Sequence, residues 1–93
     1  LNQYDKAIAD YTKAIELDPY DALPYNNRGN AYSSLREYDK ALEDYTEAIE
    51  SDLDNGNYYA ARGITYSKLE QYDKAIDDLT KAKKIRDGDG VPD

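Results

Sequence analysis

The chain has 93 residues, 34% charged and 40% apolar, with a formal net charge of −8 from 20 acidic and 12 basic side chains. That is one small soluble domain, too polar to cross a bilayer and too acidic to attract nucleic acid or an anionic membrane. Cysteine and histidine are both absent, which removes disulfides, thiolate metal sites and the commonest general base.

The chain opens on Leu1 with no initiator methionine, basic start or apolar run. No signal peptide is read at this start, and the chain is expected to be a piece of a longer protein. The compartment stays open, with the cytoplasm the expectation. The acidic surface favours a neutral or basic partner, or simply keeps the chain soluble.

The first predicted element is a helix over 3–17. Tyr4, Ala7, Ile8, Tyr11, Ala14 and Ile15 recur at helical spacing, with Asp5, Lys6, Asp10 and Lys13 between them. Pro19 ends it. A second helix is predicted over 22–35, with Asp21 as its cap and Pro24 in its first turn, where no intrahelical donor is lost. The third helix, 38–52, restates the first: Tyr38-Asp39-Lys40-Ala41-Leu42 stands 34 residues after Tyr4-Asp5-Lys6-Ala7-Ile8. The fourth, 56–69, restates the second, since Tyr59, Arg62-Gly63 and Tyr66 follow Tyr25, Arg28-Gly29 and Tyr32 by the same 34. The fifth, 72–86, opens on Tyr72-Asp73-Lys74-Ala75-Ile76. Asp5, Asp39 and Asp73 each fall in a first turn, where a carboxylate meets the positive end of the helix dipole.

A period of this length marks a repeat architecture. A single helix of about 15 residues is marginal in water, so each must bury its stripe on a neighbour. Ala7, Ala41 and Ala75 let a facing helix come close, and so do Gly29 and Gly63. A mid-helix glycine costs about 1 kcal/mol against alanine, which close packing offsets. The repeating tyrosines are read as core side chains with their hydroxyls at the surface rather than as a stacking platform.

Tyr25-x2-Arg28-Gly29-x2-Tyr32 … Ala41-x3-Tyr45, then Tyr59-x2-Arg62-Gly63-x2-Tyr66 … Ala75-x3-Leu79, and before both Ala7-x3-Tyr11 … Pro19, resemble the tetratricopeptide repeat pattern of a 34-residue helix–turn–helix. Departures are arginine for leucine, tyrosine for tryptophan and phenylalanine, and Leu53 for the closing proline. The resemblance implies an all-α fold: a right-handed superhelix, or α-solenoid, of antiparallel helix–turn–helix repeats, about five helices. It divides the chain into a half repeat, 1–21, two full repeats, 22–55 and 56–86, and a flexible tail, 87–93.

It also implies a protein–protein interaction module that binds a peptide or protein segment on the concave face. That face is lined by the first helix of each hairpin. Here it would carry Leu23, Asn26, Asn27, Asn30, Ser33 and Ser34 on one helix, and Asn57, Ala60, Ala61, Ile64, Ser67 and Lys68 on the other. Asparagine offers donor and acceptor together, which suits the backbone of an extended peptide; the alternative is that Asn26, Asn27 and Asn30 are ordinary solvated residues. Some family members hold acidic chaperone C-termini in a clamp of Lys, Asn and Arg. Asn27 or Asn30 matches the clamp asparagines, but its basic positions fall near Asn57 and Ala61, so chaperone-tail binding is not expected.

Arg28 and Arg62 either meet a ligand carboxylate or bond an acid of a neighbouring helix, and the second is expected. Asp87-Gly88-Asp89-Gly90 resembles a calcium loop faintly, but Ile85 would hold the first ligand position and the closing glutamate is missing. A frayed end or linker is the expectation, with no metal and no cofactor. Catalysis is not expected, because the acids Asp10, Glu43, Asp44, Glu47, Asp77 and Asp78 fall on polar stripes and no nucleophile–base pair or phosphate loop appears. The second functional expectation is a structural scaffold or self-assembly segment. Ile8, Ile15, Ile76 and Ile85 help line the two end helices, where about 200 Å² of unburied apolar surface forgoes about 5 kcal/mol. Homo-oligomers through those helices follow as an expectation.

Overall fold

The computed structural model describes residues 3–88. It contains α1 (Gln3–Leu17), α2 (Ala22–Ser34), α3 (Tyr38–Ser51), α4 (Gly56–Lys68) and α5 (Tyr72–Asp87), and no strand among the described residues. Each helix packs against the next, and α2 also touches α4. The body measures 48 × 31 × 15 Å, a slab of successive hairpins. Among the described residues no helix is long and apolar enough to cross a membrane.

The hairpin turns repeat in atomic detail. Asp21 caps α2, its Oδ1 accepting from the Leu23 N–H at 3.2 Å. Asn55 caps α4 in the same way, from the Asn57 N–H at 2.9 Å. At the far end of α2 the Arg36 N–H donates to the Ser33 carbonyl at 3.0 Å and the Glu37 N–H to the Tyr32 carbonyl at 2.9 Å. Glu70 and Gln71 do the same to Ser67 and Tyr66. This double bond closes a helix through one left-handed residue. Arg36 and Glu70 fill that position at φ 61°, although neither is glycine. Glu37 and Gln71 then open α3 and α5 without a side-chain cap bond.

The core is built of small residues around two tyrosines. Ala22, Ala31, Ala41, Ala48 and Ala75 are buried with Ile49, Tyr45 and Tyr58. Gly29 marks the closest approach: a Cβ there would stand 2.7 Å from Tyr45 Cε1. Tyr45 alone among the repeating tyrosines is buried; Tyr25, Tyr32, Tyr59 and Tyr66 are half-buried, while Tyr4 and Tyr72 are exposed. The expectation that hydroxyls reach the surface therefore fails at Tyr45, whose hydroxyl is hydrogen-bonded inside.

Of the four isoleucines assigned to the end helices, Ile76 is 60% exposed, whereas Ile8, Ile15 and Ile85 are half-buried. Asp87 is the last residue of α5 and Gly88 its left-handed cap. The rest of the expected tail, 89–93, lies outside the described residues.

Candidate functional site

Two arginines hold the repeats in register. Arg28 donates from Nε to Asp44 Oδ2 at 2.8 Å, from Nη2 to Asp44 Oδ1 at 2.7 Å, and from Nη1 to Thr12 Oγ1 at 3.1 Å. Arg62 repeats this with Asp78, at 2.8 Å for both bonds, and with Thr46 at 3.2 Å. Each arginine on a first helix thus joins the acid of its own hairpin to the threonine of the hairpin before. The two-pronged bond to Asp44 keeps the Arg28 guanidinium charged despite burial, and Asp78 does the same for Arg62. The guanidinium carbon of Arg28 lies 5.9 Å from the ring centres of both Tyr25 and Tyr32, and Arg62 lies at the same distance from Tyr59 and Tyr66.

Both arginines bond acids of a neighbouring helix, as the sequence reading expected. Asp44 and Asp78 correct the sequence reading that placed them on polar stripes: both are buried, because an arginine neutralises each one. Among the described residues no group of three or more acids is arranged to hold a metal ion.

The twelve residues expected to line the concave face lie on α2 and α4. Leu23 is 54% and Ile64 52% exposed. Asn30, Ser34, Asn57, Ser67 and Lys68 are exposed too, while Asn26, Asn27, Ser33, Ala60 and Ala61 are half-buried. They form an open surface rather than an enclosed pocket. Asn57 and Ala60 alone also line a cleft of about 460 Å³, shared with Leu79, Ala82, Ile85 and Arg86 of α5.

Two asparagines stand out. Asn30 Oδ1 accepts from the Tyr45 hydroxyl at 2.6 Å, and the Thr65 and Ser33 side chains lie within bonding reach of that Tyr45 hydroxyl. Burial pushes the Tyr45 hydroxyl up to about 12. Asn26 Oδ1 is buried with no hydrogen-bond partner among the described residues, an unmet bond that costs about 1–3 kcal/mol.

A second cleft was not foreseen. It spans about 750 Å³ between α2 and α3, lined by Tyr25, Arg28, Tyr32, Lys40, Leu42, Glu43, Asp44, Thr46 and Glu47. None of the expected site residues is among them. Arg28 and Asp44 are paired with each other in its lining, so Glu43 and Glu47 are the other acids there.

Family comparison agrees with this geometry. Tetratricopeptide repeat profiles match residues 22–55 and 56–89, and a third profile of the same repeat matches residues 1–36. The second TPR of Spaghetti (RPAP3), bound to the HSP90 peptide SRMEEVD, is 31% identical, with 90% of this chain and 78% of that one covered at a TM-score of 0.86.

The chain belongs to the tetratricopeptide repeat family.

Other TPR structures superpose as well. The TPR domain of Arabidopsis OM64 is 34% identical over 89% of this chain and 69% of its own, with a TM-score of 0.85. The TPR2B domain of yeast Sti1, in complex with an Hsp70 peptide, is 28% identical over 95% and 72%, also at 0.85. Comparison with curated proteins gives no match. The arginine in place of leucine in the TPR pattern is explained by the paired aspartate and threonine, both present at the matching positions of each interface.

Proposed function

We propose that this TPR array is a protein-interaction module that takes an extended peptide segment across the exposed faces of α2 and α4. The observation that carries the reading is the contrast between the two kinds of polar residue. The arginines are paired with aspartate and threonine inside the fold, whereas Asn27, Asn30 and Asn57 reach solvent in part or whole. Polar groups left over after folding, beside exposed Leu23 and Ile64, are what a peptide's backbone and side chains can engage. Structures similar to this chain hold HSP90 and Hsp70 peptides, which supports a peptide as ligand.

The partner differs in charge from those tails. The positions where a carboxylate clamp needs cations hold Asn57 and Ala61, and Lys68 is the one cation among the twelve face residues. A neutral or basic segment fits the surrounding acidity better.

Capture of a partner from the parent organism's extract, repeated with Asn26, Asn27 and Asn30 all changed to alanine, tests the reading. Lost capture with a retained helical fold supports it, and undiminished capture refutes it.

A scaffold role is the second reading, favoured by one observation: α5 leaves Tyr72, Ile76 and Leu79 at 57%, 60% and 41% exposure. The matching residues of α3 (Tyr38, Leu42 and Tyr45) are half-buried or buried. Stacking of a second copy on that stripe would give a mass that rises with concentration in light scattering.

A further inference from the structure

The hydrogen bond from Tyr45 to Asn30 has a chemical direction. Its 2.6 Å length fits O–H···O and is short for N–H···O, so the amide oxygen of Asn30 faces the buried hydroxyl. Tyr45 itself is 2% exposed, and its ring lies close against Gly29, where an added Cβ would stand 2.7 Å from Cε1. The amide nitrogen lies on the other side of the same planar group. Because Asn30 is an exposed residue, both N–H bonds are left to the open face.

We infer that Tyr45 is a positioning residue that fixes Asn30 as a hydrogen-bond donor, so that the α2–α4 face selects a ligand offering an acceptor at that point, namely a backbone carbonyl of an extended peptide. This rests on the peptide-binding reading above and adds polarity and register to it. A free asparagine turns either end to its ligand and reads nothing; a held one reads acceptors only. Within the described residues the device occurs once. The positions 34 residues on are Ile64 and Leu79, both apolar and more than 40% exposed, so α4 offers an apolar contact where α2 offers a donor. The bound segment is therefore read as a carbonyl against Asn30 and an apolar side chain toward Ile64.

Linear peptides selected from a random phage-displayed library on the intact chain serve as the probe. Asn30→Asp keeps an oxygen for Tyr45 but replaces the donor by an acceptor, and should weaken the selected peptides roughly tenfold or more. Tyr45→Phe frees the amide and should weaken them roughly threefold. In the Asn30→Asp background Tyr45→Phe should cost nothing more, because the residue acts through Asn30. The Asn30 side-chain amide signals should shift on peptide addition in the wild type. All binding is measured where circular dichroism shows each variant folded.

Unchanged affinity in Asn30→Asp, or fully additive effects of the two substitutions, overturns the inference. If the triple asparagine variant loses the peptides while Asn30→Asp and Tyr45→Phe keep them, the inference falls and the peptide-binding reading stands. If the triple variant also keeps them, or no peptide is selected, both fall.

Discussion

Arg28 and Asp44 form a two-pronged ion pair, 2.7 and 2.8 Å, in which the Asp44 side chain is 5% and the Arg28 side chain 19% exposed. The same pair recurs at Arg62 and Asp78, with side-chain exposures of 20% and 8%. A charge this buried is tolerated only while its partner is present. Asp44→Ala is expected to cost about 3 kcal/mol in urea unfolding, since it strands the guanidinium. Arg28→Met with Asp44→Leu should recover most of that loss, because an apolar pair carries no desolvation cost. If the double variant is no more stable than Asp44→Ala, the loss comes from packing and not from charge.

Gly29 is present for space. Alanine there would gain about 1 kcal/mol of helix propensity, but its Cβ would stand 2.7 Å from the Tyr45 ring, which is boxed in. Gly29→Ala is expected to destabilise the chain by about 1–3 kcal/mol. In a Tyr45→Leu background the same substitution should cost less.

Arg36 and Glu70 sit at φ 61°, where a side chain with a Cβ pays about 1–2 kcal/mol. Both are exposed, so nothing else is lost on removing them. Arg36→Gly and Glu70→Gly should each raise stability by about 0.5–1 kcal/mol, the entropy of glycine offsetting part of the relief. A fall in melting temperature would show that these turns are not strained.

Tyr45 ties stability to alkaline pH. Its hydroxyl is raised from 10.0 to about 12, mainly by burial. The native state thus holds its proton after the unfolded chain has lost it. The stabilisation is whole below pH 10 and drains away as pH rises toward 12, by about 2–3 kcal/mol. Tyr45→Phe should flatten that part of the stability curve relative to the wild type.

Asn26 carries an unmet acceptor in a half-buried place. Asn26→Leu removes it and is expected to raise stability by about 1 kcal/mol while weakening peptide binding. A variant that is both less stable and unimpaired in binding would assign Asn26 to structure.

Much of this was legible in the sequence. The five helices follow from Tyr–Ala–Ile spacing and the 34-residue period, and the cap at Asp21 from its place before Ala22 and Pro24. The bond between each arginine and an acid of a neighbouring helix follows the expectation, although the acids it uses, Asp44 and Asp78, were read as polar-stripe residues. Other features are set by three-dimensional contacts that no local pattern carries. Asn55 as a cap resembles any loop asparagine. The left-handed turns at Arg36 and Glu70 lack the glycine that would announce them. The burial of Tyr45, alone of its series, depends on α4 closing over α3, and the identical spacing of Leu79 on α5 gives no hint of it. The cleft between α2 and α3 arises from half-buried tyrosines stacked on an arginine, and its residues read as ordinary helix positions. Solvent-exposed asparagines could be found by the repeat alone, but the bond that orients Asn30 could not.

Side-chain amide and methyl signals recorded during titration with a selected peptide test the central claim most directly. The account expects Asn27, Asn30 and Ile64 to shift together and saturate at one affinity, with the Leu42 and Thr46 methyls of the α2–α3 cleft unmoved. Shifts confined to that cleft, with Asn30 and Ile64 silent, would contradict it.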